Sequence, residues 1–408
     1  MLCFAGGRIV QSGVMGLKMS NMKIKIGIMA ASSVQLAIVG VAAAVAPMME
    51  HFTGISPTLV MNVVTIPSLV CIPVQLFVGA NTARFGKRKP LLLGLAILSL
   101  CGLTPAVFDV SFPALLSVSV GLGVGVGLLM PTATGLITDH FSGAEAGSLM
   151  GKQSAFINLG AMLLSTAGGF LSTIGWRSTF FIYIYAILMA AVVIVCIPKD
   201  KSVRKPVPGK TEEKVKLNKE VFIMSAMVIG FGMCFGVAQT NNSLFVIERG
   251  LGETHIAGLA GSVTSGFGVL AGLLYGIIIK GIHKWVLPVA FVSGMIGLFI
   301  ISAAHSVPLF MIGASFLGVG LSLAMPTGLF RVAGSVNKNA STLAISIFLS
   351  SVNIGLFISP LVLNPISRTF MDGSAGSRYM IGGLVLIVLA ALAFIHVRKD
   401  GRQMINDK

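Results

Sequence analysis

Residues 123–132 read GVGVGLLMPT and residues 318–327 read GVGLSLAMPT, with seven of ten positions identical at an offset of 195. The same offset carries Asn158 onto Asn353 and Gly160 onto Gly355, so the register persists past the block itself. Two unrelated apolar stretches would not stay in step over that distance. The chain therefore reads as a duplication.

Around this repeat the composition excludes an ordinary soluble domain. Hydrophobic residues make up 55% and charged residues only 10% of 408, whereas charged residues approach about a quarter of soluble domains. Crossing a hydrocarbon core of about 30 Å takes about 20 apolar residues per helix. Stretches of that length with at most one charged residue, near an end, fall at 27–48, 57–79, 90–108, 112–138, 149–173, 178–197, 221–247, 256–279, 285–303, 307–330, 341–366 and 378–397. The expectation is an all-α membrane protein of twelve transmembrane helices in two pseudo-symmetric six-helix bundles.

The net charge of +16 does not point to nucleic acid, because the basic residues lie between apolar spans rather than on one face of a soluble domain. An even number of spans puts both termini on one side. That side receives 25 of the 29 Lys and Arg residues, and the other receives only Arg177, Arg249, Arg368 and Arg378. The positive-inside rule then places both termini in the cytoplasm of a multi-pass plasma-membrane protein.

The longest hydrophilic stretch, 198–220, carries eight basic and four acidic residues with Pro206 and Pro208, and reads as a cytoplasmic linker. It divides a first bundle (23–197) from a second (221–397), followed by a cytoplasmic tail (398–408). Residues 1–22 read as a dispensable leader rather than a cleaved signal, with Met15, Met19 and Met22 as candidate starts. Cys3, Cys71, Cys101, Cys196 and Cys234 are scattered singly, without disulfide or zinc spacing. The glycine run Gly121, Gly123, Gly125 and Gly127 lies within an apolar span and follows no strand, which excludes a phosphate-binding loop. No metal cluster, nucleophile-base pair or acid pair marks an enzyme, and no cofactor is expected.

After the second span the chain reads GANTARFGKRKP, and Gly79, Arg84, Gly86, Lys87 and Arg88 match the cytoplasmic signature of the major facilitator superfamily. The chain resembles that family, although Ala83 stands where the signature usually has Asp. The resemblance implies a gating role for this turn, with Asp139 as the partner of Arg84. The fifth span, NLGAMLLSTAGGF followed by GWRSTFF, resembles the family's fifth helix through Gly160, Gly168 and Gly169. Exporters of the family carry a Gly-Pro pair before the double glycine; here Leu164 and Ser165 stand there, and Pro360 takes the equivalent place in span eleven. Two related bundles with a central site are the arrangement that supports alternating access.

No Asp, Glu, Lys or Arg is expected deep in the membrane, so a neutral or amphipathic substrate fits better than a strongly charged one. The acids nearest the spans, Glu50, Asp139, Glu145 and Glu248, sit at span ends. The candidate substrate-binding residues are Gln35, Asn62, Asn158, Gln239, Asn241, Asn242 and Asn353, with Thr240 in the same cluster; amides both donate and accept. Phe235, Met130 and Met325 could add apolar contact. An amide left facing lipid is costly, so each must meet another helix or a cavity. The expected protein is a monomeric secondary transporter in the lipid bilayer that exports small lipophilic or amphipathic molecules by proton coupling. Uptake or facilitated transport of a neutral metabolite, and lipid translocation, are the alternatives.

Overall fold

The computed structural model describes residues 21–55, 57–198, 217–252 and 255–406. Most of the expected leader and linker lies outside these residues, as does the side chain of Arg84. The described chain is helical, as lipid requires of a single spanning segment, because a helix satisfies its own backbone polar groups.

Span two runs Pro57–Phe85, span three Arg88–Val107, span four Phe112–His140 and span five Gly143–Ser172. Span six begins as a 3-10 turn, Ser178–Tyr183, and continues as Ile184–Cys196. Spans seven to twelve are Lys219–Glu248, His255–Ile282, Val286–Ser302, Val307–Gly334, Lys338–Phe370 and Ala375–Asn406. The last helix continues well past residue 397, so part of the expected tail belongs to it.

Ten helical stretches among the described residues are long and apolar enough to cross a membrane. One of them, Ile256–Ser302, holds spans eight and nine, joined by the 3-10 turn His283–Trp285. The first crossing escapes the count because it is broken. Helix covers 21–32, turns cover 33–37, and short pieces follow at Ile38–Val41, Ala42–Ala44 and Val45–His51. Counting spans eight and nine separately and adding the broken segment accounts for twelve crossings.

The repeat records where helices touch. A Cβ on Gly160 would stand 1.8 Å from the Ser33 carbonyl oxygen of span one, and one on Gly355 would stand 2.2 Å from that of Ile229 in span seven. Gly123 likewise meets Pro67 of span two, and Gly318 meets Thr264 of span eight. Gly125 meets Gly94 of span three, and Gly320 meets Ala290 of span nine. Small residues let backbones approach where lipid supplies no hydrophobic drive between helices. The repeated glycines are thus first of all packing positions.

Candidate transport gate and polar site

The two halves meet along two seams, span five against span eight and span two against span eleven. Near the end that carries both termini the first seam is tight. A Cβ on Gly151 would lie 2.4 Å from Tyr275, on Gly272 2.8 Å from the Ala155 backbone nitrogen, and on Gly276 2.5 Å from Ser148 Oγ. Gly169 points the same way as Gly151, and Gly258 the same way as Gly276, because each pair is about five helical turns apart at 3.6 residues per turn. Yet a Cβ on Gly169 or Gly258 would meet nothing within 4 Å. The same helix faces are in contact at the terminal end and apart at the far end.

The hydrogen bonds that join the halves obey the same gradient. Asn158 Nδ2 donates to Ser322 Oγ at 3.1 Å, and Ser154 Oγ lies 3.4 Å from the same oxygen, at the middle of spans five and ten. Ser350 Oγ donates to Gln75 Oε1 at 3.2 Å, and Thr138 Oγ1 and Ser341 Oγ are 3.2 Å apart closer to the terminal end. A Cβ on Gly79 would stand 2.3 Å from Ser346 Oγ, so this glycine belongs to the closed seam. The geometry is that of a cleft closed toward the termini.

The turn after span two is built as its glycine spacing implies. Gly86 has φ +71, a left-handed conformation that glycine adopts without strain, and its N–H bonds the Thr82 carbonyl. Lys87, 7% exposed, then reaches across to span four, donating to Asp139 Oδ1 and to the Gly135 carbonyl, both at 2.7 Å. The Asp139 partner seen is therefore Lys87; the expected one, Arg84, has its side chain outside the described residues. Arg88 Nη2 donates to the Ile194 carbonyl at the end of span six. The turn ties spans two, three, four and six of one half together.

Among the amides, Asn158 and Asn353 both bond back to the carbonyl four residues earlier, Ser154 at 2.8 Å and Leu349 at 3.0 Å. Asn158 also crosses to the other half, as above, while half-buried Asn353 has no such bond among the described residues. Asn62 is half-buried and accepts from Thr65 at 3.4 Å, and Gln239 is exposed. Asn241 and Asn242 are engaged instead at the far end of span twelve. Arg378 Nη1 donates to Asn241 Oδ1, and Tyr379 Oη to Asn242 Oδ1, each at 2.5 Å. Gln35 sits in the break of span one, 2% exposed, and its Nε2 has no hydrogen-bond partner among the described residues. Pro360 lies within the unbroken span eleven, beside Ser359, whose hydroxyl bonds the Met233 carbonyl.

The sequence hid several groups that the structure brings together. Glu220, placed in the linker by composition, opens span seven and pairs with Arg331 Nε at 3.2 Å and His396 Nε2 at 2.9 Å. Arg331 had fallen one residue beyond its expected span. Gln153 Nε2 donates to Ser32 Oγ at 3.0 Å and Thr134 Oγ1 at 3.1 Å, joining spans one, four and five. Arg378 is only 8% exposed, so an arginine is buried at a span end with neutral partners, although among the described residues no Asp, Glu, Lys or Arg occupies the middle of a span. Beyond that end, Asp372 is held below the usual carboxylate range by the Ser374 backbone N–H and the nearby hydroxyls. No group of three or more His, Cys, Asp or Glu residues is arranged for a metal among the described residues.

A family model described as Major Facilitator Superfamily matches residues 27–280. Multidrug resistance protein 2 of Bacillus subtilis (strain 168) is 30% identical over 211 residues, covering 48% of this chain and 50% of the relative. Quinolone resistance protein NorA of Staphylococcus aureus (strain Mu50 / ATCC 700699) is 27% identical over 180 residues, covering 42% and 45%. The chain spans about half the length of the curated relatives it matches. Among solved structures, the human organic anion transporter MFSD10 superposes with a TM-score of 0.72 at 13% identity, covering 92% of this chain and 98% of that one. The proton:xylose symporter XylE gives 0.69 at 14%, covering 92% and 95%. These two likenesses concern the fold.

Proposed function

The chain belongs to the Major Facilitator Superfamily, and on that premise we propose that it is a secondary transporter exporting small lipophilic or amphipathic compounds from the cell in exchange for protons. The observation that carries the reading is the one-sided closure of the five–eight seam, packed at Gly151 and Gly276 and empty at Gly169 and Gly258. That is one of the two states an alternating mechanism needs; the other opens the terminal end and closes the far end. In this reading the two halves, the first ending near 197 and the second starting with span seven at Lys219, move as two bundles joined by a cytoplasmic linker, and the basic surplus keeps the terminal end in the cytoplasm.

Export is favoured by the names of the two resistance relatives. A lipophilic or neutral cargo is favoured by spans whose middles hold amides and hydroxyls but no Asp, Glu, Lys or Arg. Asn353, Gln239, Asn62 and Gln35 are the amides left to meet such a cargo, with Met130, Met325 and Phe235 as apolar contacts. Glu220, whose carboxylate meets both Arg331 and His396 at the start of span seven, is the acid this reading places on the coupling path. The test is accumulation of a panel of lipophilic dyes in cells expressing the protein, with and without an uncoupler. Lower accumulation that the uncoupler abolishes supports proton-driven export; unchanged accumulation of every dye overturns it.

A further inference from the structure

We propose that the groove between spans five and eight at the terminal end binds the headgroup of an anionic phospholipid, with one basic residue supplied by each half. The groove has a volume of about 470 Å³. Its apolar wall is formed by Leu273, Gly276 and Ile277 of span eight, and its polar rim by Ser148 and Lys152 of span five and Lys280 of span eight. Lys152 and Lys280 are exposed and take part in no ion pair among the described residues. Glu145, the acid on the same rim, is already paired with Lys25 at 2.7 Å. The groove therefore presents two unneutralised cations beside exposed Leu273 and Ile277.

Its position selects a lipid. Lys280 is two residues from the end of span eight, and Lys152 lies within the first third of span five, so both ammonium groups reach the headgroup level while the aliphatic wall faces acyl chains. The segment 198–220 is a poor occupant, because its eight basic residues against four acidic ones repel the same two lysines. An anionic headgroup seated between spans five and eight would bridge the halves where they are already closed.

The test uses the full chain purified from mixed phosphatidylcholine and phosphatidylglycerol and read by native mass spectrometry. The wild type should retain phosphatidylglycerol preferentially. The double variant Lys152→Gln/Lys280→Gln should lose about tenfold of that preference, and Lys152→Arg/Lys280→Arg should keep it. Inorganic phosphate at millimolar concentration should not displace the lipid. Equal retention by the wild type and the Gln variant would overturn the proposal. So would displacement by phosphate alone, or cross-linking of Lys152 to the 198–220 segment.

Discussion

The five–eight seam and the two–eleven seam are related by the same repeat, yet they close by different chemistry. On one seam Gly151 receives the ring of Tyr275; its repeat partner, Ser346, stands on the other seam against Gly79. From span five Asn158 reaches Ser322 of span ten; the repeat counterpart of Ser322 is Gly127, packed on Val74, and Asn353, the counterpart of Asn158, makes no cross-half bond among the described residues. In its place Gln75 and Ser350 bridge the second seam. The repeat has kept what each helix needs inside its own bundle, as at Gly160 and Gly355, and let the contacts between bundles diverge. Symmetric packing goes with asymmetric closure: Asn158 bonds across the halves, and Asn353 makes no such bond among the described residues.

The comparison can be broken most forcefully at Gly272. A Cβ there lies 2.8 Å from the Ala155 backbone, which cannot move aside as a side chain can. Gly272→Val should hold the five–eight seam apart and lower dye export about tenfold or more, with normal membrane insertion; export at the wild-type rate would mean that the seam need not close. Next in size is Asn353→Ala, expected to raise the half-saturating dye concentration about fivefold, as loss of one substrate hydrogen bond would. Unchanged kinetics would return this residue to packing.

Asn158→Ala should act on populations rather than on KM. One interhelical hydrogen bond in a membrane averages about 0.6 kcal/mol, which corresponds to about a threefold shift away from the far-side-open state. Labelling of Gly261→Cys by an impermeant maleimide would read that shift. Ser322→Ala should shift it at least as far, since it also loses the 3.4 Å contact with Ser154, and the double variant should go no further than Ser322→Ala alone, because the Asn158 bond is already gone. The smallest effect belongs to Ser350→Ala, under about twofold on the same labelling rate, since its bonds to Gln75 and the Ile72 carbonyl are long at 3.2 and 3.4 Å. If Ser350→Ala outweighs Asn158→Ala, the roles of the two seams are reversed.

Much of the architecture was legible because lipid imposes it. Uncharged length found the helices from Pro57 to Phe370 to within a few residues, and the offset of 195 paired span four with ten and five with eleven. The break at 33–37 was not legible, since Ser32, Ser33 and Gln35 sit in a run as apolar as its neighbours and hydropathy does not register unwinding. The candidate site was legible in kind and less so in assignment. An amide at Asn241 or Asn242 looks free until Arg378 and Tyr379, 137 residues away, are brought beside it. Glu220, Arg331 and His396 were divided among a presumed linker and two span ends, and only packing unites them. Likewise Lys87 takes Asp139 across the left-handed turn at Gly86, a pairing the sequence did not single out.

The broken first span sets a schedule for biogenesis. Ser32 waits for Gln153, 121 residues later in the chain, and the Ser33 hydroxyl for Tyr185, 152 residues later. At about 5–20 residues per second, the first of these partners leaves the ribosome roughly 6–24 s after the segment it completes. For that interval the nascent span has no fifth helix to bond or to lean on; the turns at 33–37 keep local backbone bonds, but the side chains of Ser32 and Ser33 lack their partners from later spans. A span made before the fifth and sixth is therefore among the last to settle in the membrane.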